Sequence, residues 1–298
     1  MNRLLKAVEQ NGGQTLLGAA LYFYDPIFLE VAALLGYQAI WIEMEHAPIT
    51  FAEAADLCRM AAGSGMLTMI RIPDSRRENI LKAAECGPDI IDVAMVDRPA
   101  QMDEMLEYGR FAPAGGRGHF SVSRAVQYGV HNSVNETQQS LNRELCLMAQ
   151  IETTEAMKNL DQLAAVSGVD LFVGPADLAA SLGYPGQTLH PTVRDAAARI
   201  VKAARANRKC VASACGPSDF KFWLDQRIDL LFCTNDIACL KRGASLALNE
   251  ARALLLPACQ EAGSARNSLL RSRGQAADHR TGRAHHGPQS RQALIPRA

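Results

Sequence analysis

Eight short apolar runs, most of them followed by a stretch with helical character, recur along this chain and leave few folds open to it. The runs are Thr15 to Phe23, Ala39 to Glu45, Met66 to Ile72, Ile90 to Val96, Leu145 to Glu152, Val169 to Gly174, Lys209 to Ala214 and Asp229 to Thr234. Pro26 to Leu35 and Phe51 to Ala62 read as the first two intervening helices. Strands apolar on both faces belong to parallel sheets that helices cover, and about eight strand–helix units is the number that closes a (β/α)8 TIM barrel. The expected fold class is therefore α/β. With 298 residues and 48% hydrophobic content the chain can bury one large core.

We expect the barrel to span 1–256 and residues 257–298 to form a disordered basic tail. Arg266, Arg271, Arg273, Arg280, Arg283, Arg291 and Arg297 face only Glu261 and Asp278 there, and apolar periodicity is nearly absent. The longest break in the strand–helix rhythm, Arg110 to Asn142, reads as a functional or partner-covering insertion, with a disordered surface loop as the plainer reading.

The bulk properties narrow the function. Lys plus Arg number 31 and Asp plus Glu 31, so no global field draws nucleic acid or an anionic membrane, and small-molecule chemistry is the expectation. No apolar stretch has membrane-spanning length, and the first residues do not form a signal-peptide core, which predicts a cytoplasmic protein. The eight cysteines form no CxxC pair and read as reduced packing residues rather than a zinc site.

Chemistry-bearing residues gather at strand ends, where barrels of this kind keep their active sites. The fifth run ends in Gln150-Ile151-Glu152, and the sixth leads into Gly174-Pro175-Ala176-Asp177-Leu178. Two carboxylates brought together there, with room for water and substrate oxygens, suit a magnesium-like ion. The second run ends in Trp41-Ile42-Glu43-Met44-Glu45-His46, and alternation sends Glu43 and Glu45 to one side. Charges at that depth need an ion, its waters or an Arg as partner. His46 stands where a general base would, although a lone His is more often structural. Arg71 ends the third run; it can serve a carboxylate or oxyanion, or be an ordinary rim salt bridge. Glu85 is a candidate to orient His46. Gly115-Gly116-Arg117-Gly118 lacks the order of a dinucleotide fingerprint, no P-loop or G-x-S-x-G turn occurs, and Lys82 sits in a helix beside Glu78 and Glu85, which argues against an imine-forming lysine.

Glu45-His46-Ala47-Pro48, Arg71-Ile72-Pro73, Gly116-Arg117-Gly118, Gln150-Ile151-Glu152 and the block from Gly168 to Pro185 together resemble the HpcH/HpaI aldolases, metal-dependent class II enzymes that use pyruvate-type enolates. The resemblance runs from about Leu17 to Leu255. It implies that Glu152 and Asp177 hold a divalent ion (Mg2+, Mn2+ or Co2+) that the 2-oxo acid also chelates. It further implies that Gln150 and the backbone at Ala176 and Asp177 hold substrate, that Arg71 stabilises enolate charge, that His46 is the base, and that Glu43 and Glu45 bond metal-associated water. The family pattern has Asp at the positions of Glu43 and Glu85, and a double proline where this chain has Ala112-Pro113. It also implies a homo-oligomer, a hexamer built as a trimer of dimers, with Ile237 to Leu255 as a helix exchanged between barrels.

The expected activity is cleavage or formation of a 4-hydroxy-2-oxo acid, giving pyruvate plus an aldehyde. Two alternatives accompany it: a citrate-synthase-like Claisen condensation of an oxaloacetate enolate on the same scaffold, and a catalytically silent barrel acting as a binding protein.

Overall fold

The computed structural model describes residues 1–130 and 133–255, so the expected tail at 257–298 lies outside the described residues. Eight parallel strands close into a barrel in chain order: β1 (Leu16–Leu21), β2 (Ala39–Glu43), β3 (Leu67–Ile72), β4 (Ile90–Val93), β5 (Cys146–Ile151), β6 (Asp170–Val173), β7 (Val211–Ala214) and β8 (Leu230–Asn235). Each expected strand is present, and β8 pairs with β1 to complete the ring. The barrel lies within one compact unit, Met1–Leu240; the second unit, Lys241–Ala298, is helical over 241–255, where Leu246, Leu248, Leu254 and Leu255 are exposed.

The helices are α1 (Arg3–Gln10), α2 (Pro26–Leu34), α3 (Phe51–Gly63), α4 (Arg77–Glu85), α5 (Pro99–Gly109), α6 (Val134–Glu144), α7 (Thr154–Lys158), α8 (Leu160–Ala165), α9 (Pro175–Ser181), α10 (Pro191–Ala206) and α11 (Phe220–Asp225). Their starts follow local chemistry. Thr50 and Glu53 cap α3 reciprocally, and Asp25 accepts from Phe28 N ahead of α2, whose first residue, Pro26, needs no hydrogen-bond partner for its nitrogen. The long break from Arg110 to Asn142 is not a structureless loop: it contains a 3-10 turn over Arg124–Gly129 and most of α6.

Two apolar layers follow from strand alternation. Ile40, Ile42, Ile70, Ile72, Ile91, Val93, Leu147, Ala149, Leu171 and Val173 point outward and pack on the helices. Leu16, Trp41, Met69, Ile90, Met148, Phe172 and Phe232 point inward and fill the barrel. Trp41 meets Phe172 and Phe232 with ring centroids 5.5 and 5.3 Å apart. Gly18 is required at this level, because a Cβ there would stand 2.5 Å from Phe232 Cδ1. The N-terminal end of the barrel is plugged by α1, whose Leu4 and Val8 join the inner layer. Arg3 fastens the plug to Asp89 at 2.9 Å and Glu144 at 2.8 Å, and Asn2 donates to Asp170 at 2.8 Å. With that end closed, the strand C-termini form the open mouth.

Candidate active site

Alternation along β2 turns Trp41 and Glu43 inward and Ile42 outward, so Glu43 is buried at the top of the barrel. Its Oε2 accepts from Arg71 Nε at 2.5 Å, and its Oε1 accepts from the backbone N–H groups of Glu45 and His46 at 2.7 and 2.9 Å. Glu43 therefore fixes both the guanidinium and the loop that carries the next two polar side chains.

Arg71 is the register partner of Glu43 on β3. Its Nη1 lies 3.2 Å from Glu45 Oε2, close enough for ion pairing without the alignment of a hydrogen bond, and its guanidinium carbon sits 4.8 Å from the Trp41 ring centroid. Burial raises the pKa of Glu45, the charges of Arg71 and His46 oppose this, and Glu43 and Asp177 add to it. The His46 ring is largely exposed, with Nε2 at 3.6 Å from Glu45 Oε2.

On the opposite side of the mouth, Gln150 and Glu152 are both buried, at 1% exposure each. Glu152 Oε2 accepts from Gln150 Nε2 at 2.5 Å, and Oε1 accepts from Met95 N at 2.9 Å. Met95 adopts φ 56°, a left-handed conformation that costs a methionine strain and aims its N–H at the carboxylate. Gly174 leaves room for this pair: a Cβ would overlap Glu152 Oε2 and stand 2.9 Å from Gln150 Nε2. Desolvation pushes the Glu152 carboxyl up to about 7; the bonds from Gln150 and Met95 work against the shift, while the charges of Asp177 and Glu45 reinforce it. Ala176 and Asp177 lie in the first turn of α9, where backbone N–H groups lack intrahelical partners.

The structure thus gathers Glu43, Glu45, His46, Arg71, Gln150, Glu152, Ala176 and Asp177 at one end of the barrel, at or just beyond the ends of β2, β3 and β5 and at the start of α9. Glu85 is placed elsewhere. It is the last residue of α4, a helix that runs back from the mouth, and its Oε1 accepts from Arg117 Nη2 at 2.8 Å. Within the chain Glu45 is the carboxylate beside His46.

Three contributors escaped the sequence reading. Asp92 on β4 is fully buried and neither of its oxygens has a hydrogen-bond partner. A signal existed, since it is an acid two residues after Ile90 in an apolar strand and thus on the same face. Tyr22 follows β1, and burial raises its phenol pKa, with the charges of Arg71, Glu43 and Asp236 also felt. Met95 carries no sequence signal for its role.

A divalent cation fits this donor set. The Asp177 charge adds to the cost of ionising both Glu152 and Glu45, Glu45 adds to that of Glu152, and Gln150 Oε1 is buried without a partner. Among the described residues no three His, Cys, Asp or Glu side chains converge as a complete ligand set. The ion would be held by Glu152 and Asp177, with water and substrate oxygens filling the remaining positions, which is the magnesium-type pattern.

Comparison with known proteins gives concordant results. The profile of the family described as HpcH/HpaI aldolase/citrate lyase matches residues 21–214. A 2-keto-3-deoxy-L-rhamnonate aldolase of Klebsiella pneumoniae is 35% identical over 215 residues, 70% of this chain and 79% of the relative. A hydroxypyruvate/pyruvate aldolase of Sagittula stellata is 34% identical over 196 residues, 65% of this chain and 76% of the relative. The crystal structure of an HpcH/HpaI aldolase from Desulfitobacterium hafniense superposes with a TM-score of 0.77 at 26% identity, over 83% of this chain and 96% of that one. The citrate synthase SbnG superposes with a TM-score of 0.73 at 25% identity, over 84% and 98%.

Proposed function

This chain belongs to the HpcH/HpaI aldolase/citrate lyase family and is a carbon–carbon lyase, and from that premise we propose that it is a divalent-metal-dependent aldolase acting on 4-hydroxy-2-oxo acids through a pyruvate enolate. The observation that carries this reading is the convergence of buried Glu152 and Gln150 with Asp177 on one side of the mouth and Arg71 on the other. The 2-oxo acid relatives support the substrate class, since a 2-keto-3-deoxy sugar acid has its hydroxyl two carbons beyond the oxo group.

Each side chain then has a task. Gln150 and the N–H groups of Ala176 and Asp177 orient the carboxylate and oxo end of the substrate. His46, steadied by Glu45, takes the proton of the distal hydroxyl, and loss of that proton drives cleavage of the carbon–carbon bond. Arg71 offsets the charge that develops on the enolate oxygen. A bound divalent ion would supply Lewis-acid stabilisation of the same oxygen. Glu43 bears on the reaction through Arg71 and the loop it tethers. Assembly into a homo-oligomer belongs to the same reading, supported by the exposed leucines at 246, 248, 254 and 255.

Pyruvate release from a panel of 4-hydroxy-2-oxo acids, including 2-keto-3-deoxy-L-rhamnonate, tests the proposal. Release by chelated and then magnesium-restored protein should return only with the metal and be lost in Glu152→Ala. The superposition on SbnG supports a second reading, condensation of an oxaloacetate enolate with an acyl donor. Coenzyme A release from acetyl-CoA and oxaloacetate, without pyruvate release, would favour it.

A further inference from the structure

Asp92 is a fully buried acid for which the aldol reading has no task. Strand register makes Arg71 its neighbour on β3 and Met148 its neighbour on β5. Gln150, two residues beyond Met148, faces the same interior. Asp92 therefore lies between and below the two side chains assigned to the substrate. Around the barrel, the register places it at the level of Trp41, Phe172 and Phe232, as the single acid of an otherwise aromatic layer.

An acid in that layer is costly. Burial pushes its carboxyl well above the usual range, the Arg71 charge opposes this, and Glu152, Glu43 and Glu45 add to it. Both its oxygens lack partners, as does Gln150 Oε1 one layer higher. An apolar side chain would pack against the aromatic rings without that cost. Arg71 meanwhile leans entirely toward β2, on Glu43 and Glu45. A buried group without a partner in one state is explained if its partner arrives in another.

We propose that Asp92 is a positioning residue, the anchor of Arg71 on the β4 side, unpartnered while the guanidinium leans on Glu43 and Glu45 and engaged when a 2-oxo acid draws it toward the centre of the mouth. The assignment rests on the reading of Arg71 as a substrate-holding group. A protonated Asp92 presents a carbonyl oxygen to accept from Arg71 and a hydroxyl to donate to Gln150 Oε1, so one carboxyl supports both.

The test is a double-mutant cycle of Asp92→Leu and Arg71→Ala, read by thermal stability without ligand and by calorimetric binding of pyruvate in the presence of magnesium. Without ligand, Asp92→Leu raises the melting temperature in both Arg71 backgrounds. With pyruvate, it weakens binding by about tenfold in the parent and leaves the Arg71→Ala background unchanged, the signature of a coupled pair. Asp92→Asn, which keeps an acceptor and a donor, retains binding close to the parent. Unchanged pyruvate binding in Asp92→Leu, or equal weakening in both backgrounds, overturns the proposal. If the Leu variant does not fold, Asp92→Ala enters the same cycle. A parent that binds no pyruvate would overturn the aldolase reading and this assignment with it, whereas a parent that binds pyruvate beside an inert Asp92 overturns this assignment alone.

Discussion

Glu43 and Arg71 are register partners on neighbouring strands and close a buried ion pair, Nε to Oε2 at 2.5 Å, at the top of the barrel interior. The same carboxylate holds the backbone of Glu45 and His46. Glu43→Gln should therefore act twice. Breaking a buried pair by removing one charge costs about 3–5 kcal/mol of stability. Thermal or denaturant unfolding should show that loss, with pyruvate release falling by at least about tenfold because Arg71 and His46 lose their common tether.

Gly174→Ala probes the other side of the mouth. The added Cβ would displace the Glu152 carboxylate and crowd Gln150 while leaving the outward core alone. The expected outcome is a folded protein whose activity drops by about 100-fold, the usual penalty for shifting a reacting group by about 1 Å. Circular dichroism together with turnover checks it. A variant as active as its parent would remove Glu152 from the site.

Ion-free protein should lose stability as pH rises. Glu152 has its folded pKa raised to about 7 from an ordinary 4.5, so the folded state binds the extra proton. Its stabilisation is fully present below about 4.5 and is lost as pH passes through about 7, amounting to roughly 3 kcal/mol at about 1.4 kcal/mol per pKa unit. Melting temperatures measured across that window in chelator should fall less in Glu152→Gln, and magnesium should flatten the parent's curve.

Leu4→Ala tests the plug. Leu4 is fully buried among the inward side chains at the closed end of the barrel. Truncation should cost about 2–5 kcal/mol by denaturant titration. The Michaelis constant should hold, since the plug and the mouth are at opposite ends.

Much of this molecule was legible in the sequence because parallel barrel strands advertise themselves: Ala39 to Ile42 and Leu171 to Val173 are apolar on both faces, and strand ends are where polar residues appear. Gln150, Glu152, Arg71 and Glu43 fell where that rule puts them. Glu85 did not, because a helix after a strand runs back down the barrel, and α4 delivers its last residue to Arg117 rather than to His46. That direction follows from the topology once it is applied to individual residues. Asp92 was visible as an acid in phase with Ile90, yet its isolation was not, since whether a buried oxygen finds a partner depends on neighbouring strands. The strained Met95 backbone depends on loop closure and leaves no compositional trace.

The fastening of α1 has a consequence for the order in which the chain can become native. Arg3 and Asn2 bond Asp89, Glu144 and Asp170, and β1 needs β8 beside it. Residues 2 and 3 are thus made well before their partners, and the seam between β1 and β8 joins sequence neighbourhoods as distant as Leu16 and Leu230. Such long-range closure is slow, and until it happens the inward faces of the early strands are exposed to one another and to other chains. The opening helix is therefore a late-set latch, and its docking marks the point at which a nascent barrel stops being vulnerable to misassembly.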